Sequence, residues 1–166
     1  MLLSELIQED LIQTGLEAVD KWEAIEVLTD LLIAAHEIRL TDRGEVLQAL
    51  TVRERSLSTG LEHGLAVPHG AVECVSEIIA CLGVSRTGVP FESMDGKPAH
   101  LIVLLVIPKG SFQQHVRTLA AIARLASNPE LRRRIIAAEN AREVVAAIHE
   151  LELGSAGRPP EEPPLA

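Results

Sequence analysis

Apolar residues recur along this chain with two different periods, and the places where one period replaces the other outline the elements. After Asp20, whose carboxylate suits the first free N–H groups of a helix, Ala24, Val27, Leu28, Leu31 and Leu32 share one face of a 3.6-residue period. The stretch "KWEAIEVLTDLLIAAHEI" therefore reads as an amphipathic helix. A second helix is expected from Thr41 or Asp42 through "RGEVLQALTVRER", ending in the small-residue loop "SLSTGLEHG". Ahead of both, "LLSELI" predicts a short opening helix and "DLIQTGL" a first strand that turns at Gly15.

The pattern then becomes continuous. "LAV" at 65–67 is short, whereas "EIIACLGVS" at 77–85 and "HLIVLLVIP" at 100–108 are unbroken apolar runs of the kind found in central strands covered on both faces. A turn-rich segment with Gly88, Pro90 and "DGKP" joins the two long strands. Helical periodicity returns in "SFQQHVRTLAAIARLA", "NPELRRRIIAAEN" and "AREVVAAIHELEL", and Asn128 followed by Pro129 is a capping residue with proline at the first helical position. The last stretch, "GSAGRPPEEPPLA", has no apolar period and is expected to be a disordered tail. Residues 1–153 are thus expected to form one domain and 154–166 a tail, with no internal repeat.

Composition sharpens this outline. Of 166 residues, 47% are hydrophobic but only 2% aromatic, so the core must be aliphatic, with helices packed on a sheet of branched residues. A formal net charge of −9 opposes binding to a phosphate backbone, which argues against nucleic acid and favours a basic protein partner. Cys74 and Cys81 form no CxxC pair and read as small buried hydrophobes. The N-terminus lacks a basic region followed by a long apolar core, and "LIVLLVIP" is too short to cross a bilayer. A cytoplasmic protein without direct membrane insertion is expected.

Candidate chemistry centres on "GLAVPHGAVE". Pro68 fixes its own φ, has no N–H and holds Val67 extended, so the strand is expected to end there with His69 at its exit. Gly70 is expected to be free to take unusual dihedrals and to relieve bulk beside the imidazole. A histidine on so stiff a stem can be a nucleophile, a general base, a metal ligand or plain structure. Its company decides. Arg53, with Arg55 as a nearby competitor, offers a charged fork for phosphate oxygens. Ser58, Thr59 and Gly60 offer hydroxyls and backbone N–H groups to an anion. His115 opens the helix that follows Pro108. Together these residues outline a small phosphate site. Zinc held by His63, His69 and His115 is the alternative, but no carboxylate or cysteine completes a familiar ligand spacing, and neither metal nor cofactor is expected. His36, His100 and His149 read as ordinary positions, and Trp22 as a packing residue. No glycine-lysine loop for a nucleoside triphosphate is present.

"RERSLSTGLEHGLAVPHG", "MDGKPAHLIVLLVIP" and "HVRTLAAIARLA" together resemble the mannitol/fructose-type enzyme IIA domains of the phosphoenolpyruvate-dependent phosphotransferase system, nearest to their free-standing nitrogen-regulatory relatives. The resemblance covers everything from the first helix to the last. It implies a three-layer α/β/α sandwich with a mixed central sheet flanked by helices on both faces. It implies further that His69 accepts a phosphoryl group from a histidine phosphocarrier protein, that His115 lies beside the phosphorylated ring, and that Arg53 steadies the phosphoryl oxygens. Such a protein is a phosphotransferase component that relays phosphate to a downstream IIB domain or to a regulated target. The apparent lack of a fused IIB or membrane segment tilts the expectation toward regulation, with sugar-specific donation to a separate IIB domain as the alternative. One position departs from the family pattern: Glu62 stands where a glycine is commoner. A carboxylate turned inward there would oppose phosphate on His69, and would point instead to a binding module without phosphotransfer.

Overall fold

The computed structural model describes residues 2–156. It contains helix α1 (Leu3–Leu6), strand β1 (Ile12–Gln13), helices α2 (Lys21–Ala34) and α3 (Arg43–Ser56), and strands β2 (Leu65–Ala66), β3 (His69–Val72), β4 (Ile79–Val89) and β5 (Ala99–Pro108). Helices α4 (Phe112–Ser127), α5 (Pro129–Ala137) and α6 (Ala141–Ala156) follow. Two starts are capped as expected. The Asp20 carboxylate accepts the Glu23 N–H at 2.9 Å, and Asn128 Oδ1 accepts the N–H groups of Glu130 and Leu131, each at 3.1 Å. Helix α6 runs on to Ala156, so Gly154 is helical and does not begin a tail; residues 157–166 of the expected tail lie outside the described residues.

The sheet is mixed, as expected. Its order is β1-β4-β5-β2, with β3 also on β5; β4 and β5 pair antiparallel, and the other pairs are parallel. Side chains alternate across it. On β5, Leu101, Val103, Leu105 and Ile107 face one cluster with Ile122, Leu131, Ile135 and Ile148 of α4–α6. Ile102, Leu104 and Val106 face the other, with Leu28, Leu32, Val46 and Leu50 of α2 and α3. Three layers result, and among the described residues the buried core between them is aliphatic apart from Phe91 and Cys81.

Two strands run past their expected ends. β4 continues to Val89 instead of stopping at Ser85, because Ser85 Oγ accepts the Gly88 N–H at 3.0 Å across a bulge and Val89 re-pairs with Ala99. More important for the site, the strand does not end at Val67. β2 pairs with Leu101 and Ile102, and β3 pairs with Leu105 to Pro108 on the same side of β5, so the two are successive halves of one edge strand. Pro68 withholds one donor from the ladder but keeps its carbonyl, which accepts the Leu105 N–H at 2.9 Å. His69 is therefore the first residue of the resumed strand and not a loop residue.

Gly70 also serves a different end from the one expected. Its φ is not in the left-handed region. A Cβ at Gly70 would lie 2.9 Å from both Ala49 C and Leu50 N, so the glycine lets the backbone of α3 approach β3. Gly70 and the buried Val72 thus face α3, and alternation sends His69 to the face covered by α4. Backbone atoms cannot move aside for a methyl group. Gly70→Ala is expected to destabilise the fold by about 1–3 kcal/mol, read as a lowered denaturant midpoint with an unchanged slope.

Candidate functional site

His69 is half-buried, and its Nδ1 lies 2.8 Å from the Val67 carbonyl oxygen. A carbonyl only accepts, so Nδ1 carries the proton and the lone pair resides on Nε2. This tautomer follows from the strand geometry. Val67 turns its polar groups away from β5: its N–H donates to the Thr59 carbonyl at 3.1 Å, and its C=O is left for the imidazole two residues on.

The ring borders an open groove of about 670 Å³ whose walls include Ala49, Val52, Arg53, Gly70, Pro108 and Lys109. Arg53 thus shares the groove with His69. It lies in the last turn of α3, where its Nη1 donates at 2.8 Å to the carbonyl of Leu57, the residue that caps the helix. Arg55 does not compete for the site. Its guanidinium sits 5.8 Å from the Trp22 ring centroid.

His115, the fourth residue of α4, is only 2% exposed. Its Nε2 is buried and has no hydrogen-bond partner among the described residues. Burial, and secondarily a positive charge on His69, hold its pKa below the ordinary histidine value, so it favours the neutral ring. Of the expected trio, His69 and Arg53 line one groove, and His115 lines a second, smaller cavity; Pro108 lines both.

Ser58, Thr59 and Gly60 do not join it. Ser58 Oγ donates to the Phe91 carbonyl at 2.5 Å, and Thr59 Oγ1 donates to Glu54 Oε2 at 2.6 Å. Gly60 is packed so tightly that a Cβ would lie 2.7 Å from Ser93 Oγ. Both hydroxyls are occupied by protein acceptors, and none of the three residues lines the groove. They shape the chain and do not present themselves to an anion. Glu62 is exposed and lines neither cavity, so its carboxylate does not turn toward His69. The zinc alternative also lacks support. His63 is exposed, held at φ +62 in a tight turn, and among the described residues the only cluster with metal-ligand spacing is Asp42, Glu45 and Cys74, which contains no histidine. Cys81 is fully buried, and burial pushes its thiol pKa up. Cys74 is half-buried and is raised by burial and then by the Glu45 and Asp42 carboxylates, so neither thiol is primed to react.

Beneath the site lies a buried polar cluster. Glu54, 1% exposed, accepts from Lys21 Nζ at 3.2 Å and from the Thr59 N–H at 3.0 Å through Oε1, besides the Thr59 hydroxyl on Oε2. Lys21, 5% exposed, also approaches Glu92 Oε1 at 3.3 Å. The sequence did carry a signal for it. Val46, Leu50 and Glu54 form one buried helical stripe, and Lys21 begins another that continues through Ile25 and Leu28. A charge on an apolar stripe points to a buried partner.

Among the described residues no helix is long and apolar enough to cross a membrane. The chain is 29% identical over 150 residues to the fructose-specific EIIABC component of Bacillus subtilis, matching 90% of this chain but only 23% of that longer protein. It is 31% identical over 138 residues to the fructose-specific EIIA component of Haloferax volcanii, covering 83% of this chain and 88% of the relative. In structure it is similar to the nitrogen regulatory protein IIA-Ntr of Neisseria meningitidis, with a TM-score of 0.78 at 28% identity over 88% of this chain and 98% of the other. Residues 5–151 match the family described as phosphoenolpyruvate-dependent sugar phosphotransferase system, EIIA 2, and the chain belongs to that family.

Proposed function

We propose that the chain accepts a phosphoryl group on Nε2 of His69 from a phosphohistidine carrier protein and passes it on. The observation that carries this reading is the bond from Nδ1–H to the Val67 carbonyl, which leaves Nε2 as the nucleophilic nitrogen beside a groove shared with Arg53. In the reaction the Nε2 lone pair attacks phosphorus in line with the donor's P–N bond. As the new P–N bond forms, the old one breaks and returns its electron pair to the donor imidazole, while Nδ1 keeps its proton, hydrogen-bonded to the Val67 carbonyl. Arg53 can neutralise charge on the equatorial oxygens. The unpartnered Nε2 of His115 is suited to hydrogen-bond the arriving group, which gives a buried polar atom its missing partner. Ser58, Thr59 and Gly60 have no part in this scheme.

A net charge of −9 suits a basic carrier, whose approach it would steer. For the onward step we favour a regulatory role in the cytoplasm, in which phosphorylation decides which target protein is bound. The likeness to the Neisseria nitrogen regulatory protein supports it. Donation to a separate IIB domain in sugar uptake is the second reading, supported by the identity to the Haloferax fructose-specific EIIA component. Mixing the phosphorylated chain with a purified fructose-type IIB domain separates them: rapid loss of phosphate to IIB favours uptake, and retention favours regulation. The exposed position of Glu62 counts against a module that has lost phosphotransfer.

Incubation with phosphoenolpyruvate, enzyme I and the histidine phosphocarrier is expected to add the mass of one phosphoryl group, labile in mild acid and absent from His69→Ala. Phosphorylation of His69→Ala at another residue would overturn the assignment. His115→Ala is expected to fold normally and to slow acceptance or onward transfer by roughly 100-fold in stopped-flow or quench assays. Stability should also depend on pH through His115. The unfolded chain takes up a proton near pH 6.5 that the folded protein resists, so stability falls as pH drops through about 6.5 and levels off below the depressed folded value. Denaturant midpoints between about pH 5 and 8 should show this decline, and it should be shallower in His115→Gln.

A further inference from the structure

The cluster beneath the site does more than fill space. Glu54 grips residue 59 twice, at its N–H and at its hydroxyl, and thereby fixes the turn that leaves α3. Both functional side chains hang from that turn. Arg53 is tied to the Leu57 carbonyl at 2.8 Å. The Thr59 carbonyl accepts the Val67 N–H at 3.1 Å, and the Val67 carbonyl in turn holds His69 Nδ1 at 2.8 Å. A connected path therefore runs from Lys21 through Glu54 and Thr59 to the imidazole, and from the same turn to the guanidinium.

We infer that Glu54, neutralised by Lys21, is a positioning residue that sets the His69 tautomer and the aim of Arg53 at once. It touches neither phosphate nor donor and acts only through Thr59, Leu57 and Val67. The carboxylate is specifically required. Lys21 Nζ and the Thr59 N–H both donate to Oε1 and the Thr59 hydroxyl to Oε2; an amide would keep one oxygen for the first two but lose the charge that balances the lysine, and its NH2 would force the Thr59 hydroxyl to turn from donor to acceptor. Thr59, read from the sequence as an anion ligand, is on this view the link between the charge pair and the strand.

This inference rests on the phosphorelay reading, so its test has one arm that does not. In Glu54→Gln, kcat for acceptance from the phosphorylated carrier should fall by about tenfold or more while the KM for the carrier stays within about twofold, as expected when reacting groups are misaligned but the docking surface is intact. Independently of any transfer, imidazole nitrogen NMR should find His69 mostly protonated at Nδ1 in the wild type and a mixture of tautomers in Glu54→Gln. Thr59→Val, which keeps the N–H and removes the hydroxyl, should shift both readouts the same way by less, and it stands in if Glu54→Gln does not fold. An unchanged tautomer, or an unchanged kcat in a folded variant, overturns the inference. A wild type that stays unphosphorylated overturns the relay reading, while a tautomer shift in the variants would still support the coupling of Glu54 to the ring.

Discussion

Backbone pairing between β5 and the two strand segments flanking Pro68 is the constraint from which the rest of the site follows. Pro68 forfeits one donor to the β5 ladder and keeps its acceptor, while the residues on either side stay paired. The strand therefore crosses Pro68 without changing sides, and Leu105 pairs with His69 in parallel register. With the register fixed, alternation does the sorting. Gly70 meets the backbone of α3, and His69 faces the layer that carries His115. A loop histidine would have to select this orientation from many and give up conformational freedom on each encounter with its donor. Here that cost is met once, when the sheet forms.

The charged cluster below obeys the opposite economy. Burying Glu54 and Lys21 removes two charges from water, and an apolar pair of similar size could be at least as stable. What the ions contribute is direction. Glu54 accepts from a lysine, a backbone amide and a hydroxyl at once, and only one arrangement of the turn after α3 satisfies all three. Glu92 supplies a second, solvent-facing carboxylate to the same lysine. Packing specifies where α3 lies, and the carboxylate specifies how the chain leaves it.

Much of the architecture was legible because it rests on local chemistry. Asp20 and Asn128 cap their helices, the long apolar run became β5, and Arg53 and His69, singled out by type and motif, line one groove. What was misread depended on distant partners. Thr59 and Ser58 look like anion ligands when only the loop is considered, yet the acceptors that occupy them lie in α3 and at Phe91. Gly70 reads as conformational freedom beside a ring until α3 is seen packed against it. Pro68 reads as a stop because it lacks a donor, whereas the pairing of its carbonyl and of the residues on either side carries the strand past it. The charge–apolar stripes at Lys21 and Glu54 were open to detection, since helical spacing alone puts each charge in line with buried aliphatics.

The near absence of aromatic side chains has an optical consequence. The chain has one tryptophan and no tyrosine, so its ultraviolet emission comes almost wholly from the indole of Trp22. That indole is half-buried, with Lys21 Nζ 5.1 Å and the Arg55 guanidinium 5.8 Å from its centre. One neighbour holds Glu54, and the other follows Glu54 on α3. The protein thus carries its own fluorophore at the junction of α2 and α3, where intensity and wavelength respond to the position of two cations and report on the foundation of the site without any label.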